Sequence, residues 1–149
     1  MSDYLLVIDM QDDYVGAGKL HSNPDLVGAI NNKIVSYPQD RVVYIWEFSR
    51  QEKKLIAPLL KVSNQVFEKR RASCFTNPEL LKFLRDHQAQ SLEFVGVDGN
   101  GCVKHSVLAS AKLGFETTAD LSAIGVANKK HFPKTKKKWE AAGVRITSD

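Results

Sequence analysis

Phe94-Val95-Gly96-Val97-Asp98-Gly99-Asn100-Gly101-Cys102-Val103 is the stretch on which the reading of this chain turns. An apolar strand runs into a glycine-rich turn, and a cysteine then stands on the first turn of a helix. Strand, short connection and helix in that order are the unit of a parallel sheet. A helix N-terminus offers unpaired N–H groups and the positive end of the dipole, and both favour a thiolate over a thiol. A cysteine that served only packing would not need Gly96, Gly99 and Gly101 before it. Cys102 is therefore expected to be a nucleophile.

The same unit repeats on either side. Tyr4-Leu5-Leu6-Val7-Ile8 is a continuous apolar run ending at Asp9, the pattern of a strand buried on both faces. Asn23-Pro24-Asp25 opens a helix that carries Leu26, Ile30 and Ile34, with Pro38 just past its end. Residues 41–46 form a second strand, residues 52–61 a helix shortened or kinked by Pro58, and residues 65–67 a short third strand. Asn77-Pro78-Glu79 repeats the cap and starts the helix of Leu80, Leu81 and Leu84. Strand 92–97, helix 102–113, strand 115–118, helix 134–142 and strand 144–147 complete the order. This alternation predicts an α/β three-layer sandwich, with a mostly parallel six-stranded sheet between helices on both faces. Residues 1–149 are expected to form one domain. With strand order 3-2-1-4-5-6, ligands bind beyond the carboxyl ends of strands one and four, where the order reverses. Asp9 and Cys102 would share that crevice.

Composition narrows the class. No apolar run approaches the roughly 20 residues of a membrane helix, and the start of the chain lacks the basic region of a signal peptide. Cys74 and Cys102 are the only cysteines, which excludes a disulfide framework and points to a reducing, cytoplasmic setting. The net charge of +4 owes much to Lys129, Lys130 and the lysines of residues 134–138. No aromatic platform or recognition helix accompanies them, so they read as a solvated helix face and no nucleic-acid partner is expected.

Taken singly, several residues keep two readings. Asp9 either caps a turn or serves as a general base half withdrawn from water. Lys69 is either solvated or, within reach of the crevice, a charge that lowers a thiol pKa. His105, three residues after Cys102, is either exposed or the partner in a Cys–His dyad. A phosphatase or rhodanese loop would place its glycines after the cysteine and an arginine about six residues on, where Leu108 stands.

Three blocks together resemble the isochorismatase-like cysteine hydrolases, the family of nicotinamidases and N-carbamoylsarcosine amidases. Leu5-Leu6-Val7-Ile8-Asp9-Met10-Gln11-Asp12-Asp13-Tyr14 is similar to the family strand ending in D-x-Q before an aromatic. Lys69 with Ser73-Cys74-Phe75 is similar to K-x-x-x-S-A-F, with Cys74 in the alanine place. Residues 96–103 are similar to G-x-x-T-x-x-C-V.

The resemblance implies a catalytic triad of Asp9, Lys69 and Cys102. It also implies a cis peptide between Val97 and Asp98 and an oxyanion hole made by the N–H groups of Asp98 and Cys102. Gln11, Tyr14, Trp46, Phe48 and Phe75 are the pocket candidates. No cofactor is expected. Where nicotinamidases carry an Asp-x-His metal motif, this chain reads Trp46-Glu47-Phe48-Ser49-Arg50, so no catalytic metal is expected either. Gly99 replaces the family threonine. The expected activity is hydrolysis of a small amide, carbamoyl or related C–N bond through a thioester. The alternatives are a non-catalytic binding member of the same fold and a redox thiol protein pairing Cys102 with Cys74. Family members imply a homo-oligomer with a small-molecule substrate.

Overall fold

The computed structural model describes residues 1–48 and 55–148. Six strands, β1 (Tyr4–Ile8), β2 (Val42–Glu47), β3 (Val66–Lys69), β4 (Ser91–Val97), β5 (Glu116–Gly125) and β6 (Arg145–Thr147), form one parallel sheet in the order β3-β2-β1-β4-β5-β6. The helices are α1 (Asp12–Val15), α2 (Pro24–Val35), α3 (Pro78–Asp86), α4 (Cys102–Lys112) and α5 (Phe132–Ala141). Among the described residues, no helix is long and apolar enough to cross a membrane.

Alternation along β1 explains the three layers. Tyr4, Leu6 and Ile8 face the apolar layer of Leu80 and Leu84 from α3, Val103 and Val107 from α4, and Trp139 from α5. Leu5 and Val7 face the opposite layer, built on Leu26, Val27, Ile30 and Ile34 of α2. A continuous apolar run is thus what a central strand covered on both faces requires. The two Asn-Pro caps form as expected. Asn23 Oδ1 accepts from Asp25 N–H at 2.9 Å, and Asn77 Oδ1 accepts from Glu79 N–H at 3.0 Å.

Two elements differ from expectation. The fifth strand runs to Gly125 instead of ending at residue 118. Its middle residue, Asp120, is buried and paired with Lys33 at 2.9 Å, so the charge that interrupts the apolar pattern is neutralised inside the fold. The helix expected over residues 52–61 falls partly on residues 52–54, outside the described residues. Residues 55–61 are not helical. Leu55 bridges Gln11, Ile56 N–H donates to the Met10 carbonyl, and Asn31 clamps Pro58 and Leu60 through its side chain. Pro58 ends any helix there, and the segment instead packs beneath α2.

Gly96 sets the approach of β4 to β1. Its φ is +120°, and a Cβ there would lie 2.1 Å from the Ile8 carbonyl oxygen. That close approach brings the chain ends after β1 and β4 side by side.

Candidate active site

Three elements deliver three reactive groups to one point beyond the carboxyl ends of the strands. Asp9 follows β1, Lys69 is the last residue of β3, and Cys102 is the first residue of α4. Asp9 adopts φ +54°, a left-handed conformation uncommon outside glycine but tolerated by aspartate. Lys69 starts two strands away, and its long side chain spans β2 to reach the centre. Its Nζ lies 3.1 Å from Asp9 Oδ2 and 3.2 Å from Cys102 Sγ. Asp9 and Lys69 are each 1% exposed, so neither charge is shared with bulk water. Asp9 Oδ1 is buried without a hydrogen-bond partner among the described residues, which leaves that oxygen able to accept a proton.

Electrostatics departs here from the reading of Cys102 as a ready thiolate. Burial, and then the Asp9 carboxylate, push the Cys102 thiol up to about 12, against the pull of Lys69. Burial also raises Asp9, with Lys69 opposing. Lys69 is held above its ordinary value because Asp9 and Cys102 outweigh the burial that would lower it. The helix end alone suggests a thiolate. The burial of the Cys102 sulfur and the neighbouring Asp9 carboxylate instead favour the protonated thiol.

The peptide bond between Val97 and Asp98 is cis. After it, the Asp98 carbonyl accepts from Gly101 N–H at 3.0 Å and from Val103 N–H at 3.1 Å. The Cys102 N–H between them is the first of α4 and has no intrahelical acceptor.

A cavity of about 200 Å³ opens on this point, lined by Tyr14, Leu20, His21 and Val97 together with Asp9, Asp98, Gly101 and Cys102. Of the five expected pocket residues, Tyr14 lines it. Gln11 is buried and used structurally, since its Oε1 accepts from Glu47 N–H at 2.8 Å and ties the ends of β1 and β2. Trp46 sits half-buried in β2. Phe48 lies outside the cavity, with the Arg70 guanidinium 3.8 Å from its ring centre. Phe75 stacks on Phe115, centroids 6.1 Å apart, and belongs to the core. Aromatic type beside a strand end is too coarse a signal to separate wall from core.

Two partnerships escape sequence reading. His21 is 8% exposed, and its Nε2 meets Asp98 Oδ1 at 3.2 Å. Asp98 also accepts from Ala127 N–H at 2.7 Å and Asn100 N–H at 2.8 Å. Burial works to raise the Asp98 carboxyl, but these bonds, His21 foremost, hold it below the usual range. The second partnership is between Tyr14, whose hydroxyl donates to Glu47, and that carboxylate. Burial and then this bond raise the Tyr14 phenol strongly. His21 and Asp98 are 77 positions apart, and only the strand order reveals their meeting.

The remaining candidates fall elsewhere. His105 is exposed and does not line the cavity. Cys74 is 1% exposed, its amide donates to Ser106 Oγ at 3.0 Å, and burial pushes its thiol up to about 12, which opposes thiolate chemistry there. Both cysteines are free.

At the place of the metal motif, Trp46 and Phe48 supply no ligand, and Glu47 is engaged by Tyr14. Among the described residues, no three His, Cys, Asp or Glu side chains converge. That donor set does not fit a bound metal ion. Ser49 and Arg50 lie outside the described residues.

Gly99 has a packing role in place of the family threonine. A Cβ there would lie 2.7 Å from Val126 Cγ2 and 3.0 Å from Phe132 Cε1. Side chains of the β5–α5 connection fill the space.

Comparison with known proteins agrees with this architecture. A nicotinamidase from Staphylococcus aureus superposes with a TM-score of 0.81 at 21% identity, over 98% of this chain and 99% of that one. A pyrazinamidase of Pyrococcus horikoshii in complex with zinc gives 0.82 at 17% identity, over the full length of both chains. An N-carbamoylsarcosine amidase from Thermoplasma acidophilum gives 0.78 at 16% identity, over 99% of this chain and 96% of that one. No curated protein matches by sequence. Residues 3–148 match the isochorismatase domain, and the chain belongs to the isochorismatase-like hydrolase family.

Proposed function

We propose that the chain is a cysteine hydrolase that cleaves a small amide, carbamoyl or related C–N bond through a thioester on Cys102. The observation that carries this reading is the position of Lys69 Nζ, 3.1 Å from Asp9 Oδ2 and 3.2 Å from Cys102 Sγ, two residues that line the cavity.

In the first half-reaction, Asp9 takes the thiol proton and the sulfur attacks the carbonyl carbon. Lys69 balances the charge as it moves from carboxylate to sulfur. The carbonyl π-electrons move to oxygen, where the N–H groups of Asp98 and Cys102 act as the oxyanion hole. Collapse breaks the C–N bond, and the leaving amine takes the proton from Asp9. In the second half-reaction, water gives a proton to Asp9 and attacks the thioester. The C–S bond breaks, the acid product leaves, and the proton returns to sulfur. A thiol pushed up to about 12 makes the base indispensable, since little thiolate exists beforehand.

The cavity supports the substrate class. Its charged walls are already paired, His21 with Asp98 and Asp9 with the buried Lys69 behind it, and Tyr14 is spent on Glu47. Among the described residues, its lining offers no unpaired charge. Among the structural neighbours, the nicotinamidase and the N-carbamoylsarcosine amidase support small amide and carbamoyl compounds as the first panel.

The test is turnover across small amides, carbamoyl compounds and nicotinamide, with intact-mass detection of an acyl adduct on Cys102. Release of amine or ammonia together with the adduct supports the mechanism. Turnover undiminished in Cys102→Ser overturns it.

A further inference from the structure

The loop that carries Cys102 has a second face. Asn100 turns from the catalytic cavity toward the start of α5. Its Nδ2 donates to the Asn128 carbonyl at 2.8 Å, and its Oδ1 accepts from the Thr135 hydroxyl at 2.7 Å. On this side a separate cavity of about 380 Å³ is lined by Lys104, Lys134, Lys138 and His131 around these polar groups. No aspartate or glutamate lines it.

Three lysines elsewhere in the molecule are paired with carboxylates. Lys33 meets Glu93 and Asp120, Lys69 meets Asp9, and Lys82 meets Asp86. Among the described residues, Lys104, Lys134 and Lys138 form no ion pair. Their arrangement is also electrostatically costly. Lys134 and Lys138 are like charges at i, i+4 on one helix face. Lys104 reaches them from α4, and burial, then Lys138, hold it below the ordinary lysine value. α5 has no acid in its first turn and carries Lys134 there, against the helix dipole. Three cations converging on one concavity without counter-charge form a site that an anion completes.

We propose that Lys104, Lys134, Lys138 and His131 bind a small phosphate-bearing anion on the outer face of the 98–102 loop. A phosphoryl group offers three acceptor oxygens and nearly two charges, enough to engage the converging lysines at once. A single carboxylate offers two oxygens and one charge. A nucleic-acid backbone needs an extended basic track with stacking aromatics, whereas these cations converge on one open concavity that no aromatic ring lines. The site does not depend on the hydrolase reading, because its occupancy is measured without substrate.

The experiment is calorimetric titration with inorganic pyrophosphate at constant ionic strength. Saturable binding is expected, weakened about tenfold by each of Lys104→Gln and Lys138→Gln and unchanged by Lys61→Gln. The two substitutions relieve repulsion, so without pyrophosphate their Tm should equal or exceed that of the parent chain. Equal affinity in the Lys104→Gln/Lys138→Gln double variant overturns the site. So does a heat signal that sodium chloride of equal ionic strength reproduces, or a double variant less stable than the parent without ligand. Tighter binding of a single-stranded oligonucleotide that survives the double substitution also overturns it.

Discussion

Lys69 Nζ lies 3.2 Å from Cys102 Sγ, yet the thiol beside it is raised rather than lowered. The ammonium is shared with Asp9, whose negative charge and burial outweigh it at sulfur. One positive charge therefore serves two anionic positions that are not occupied together. In the proposed mechanism the negative charge sits on Asp9 at rest and moves to the sulfur during attack. Removing either Asp9 or Lys69 leaves the other's buried charge without its complement.

That sharing makes Asp9→Asn informative in two directions. The substitution removes the base, so amide turnover should fall by about a thousandfold or more. It also removes the carboxylate that raises the thiol, so iodoacetamide should alkylate Cys102 faster at neutral pH than in the parent chain. Slower alkylation together with lost turnover would show that Asp9 does not raise the thiol. Cys102→Ser should lose turnover with an unchanged circular dichroism spectrum.

Lys69→Met should be the most destabilising change at this centre. It leaves the Asp9 carboxylate buried and unpaired, at a cost of about 3–5 kcal/mol. Pairing it with Asp9→Asn should recover most of that loss, because no charge then remains to be compensated. Urea unfolding of the two single variants and the double variant measures the coupling directly.

Alkaline pH should weaken the fold. The Cys102 and Cys74 thiols rise from 9.0 to about 12 on folding, both chiefly through burial. The unfolded chain thus loses these protons first, and stability falls as pH climbs from 9 toward 12. Lys69, raised above 10.5, adds to the same trend, because its stabilising charge is present below that value and lost above it. Tm measured from pH 7 to 11 should decline above 9, and Cys74→Ala should flatten part of that decline.

Much of this fold was legible because its cues are local. The apolar run at Tyr4–Ile8, the Asn-Pro caps and the glycines before Cys102 each act within a few residues. The β-α alternation gave the parallel sheet, and the order 3-2-1-4-5-6, taken as an assumption and found in the structure, brings the ends of β1 and β4 together. Through-space effects stayed hidden. Asp120 breaks the pattern of β5 because its partner, Lys33, lies on α2. The His21–Asp98 pair joins a loop before α2 to the turn before α4. The helix end suggested an activated thiol, and only burial beside Asp9 reverses that direction.

His21 should prove a positioning residue. It holds Asp98, whose carboxylate also gathers Ala127 and Asn100 N–H, and the Asp98 N–H is half of the proposed oxyanion hole. His21→Ala should lower kcat by up to about a hundredfold through displaced donors. Asp98→Asn keeps an acceptor for the two N–H groups and should lose less. A change confined to KM would assign His21 to substrate binding alone.

Gly96 and Gly99 should respond differently to added carbon, although both precede the nucleophile. At Gly96 the obstacle is backbone. A Cβ would sit 2.1 Å from the Ile8 carbonyl oxygen at φ +120°, and no side-chain movement relieves either problem. Gly96→Ala should therefore separate β4 from β1 and cost several kcal/mol, with no second-site rescue. At Gly99 the obstacles are the side chains of Val126 and Phe132, and its φ is not in the left-handed region. Gly99→Thr should cost about 1–3 kcal/mol through overpacking. Val126→Ala introduced with it should return much of that loss by opening the crowded space. Chemical denaturation of these three variants and of Gly96→Ala combined with Val126→Ala decides the matter. Rescue at Gly99 but not at Gly96 separates a glycine kept for neighbouring side chains from one kept for the backbone that joins the two halves of the site.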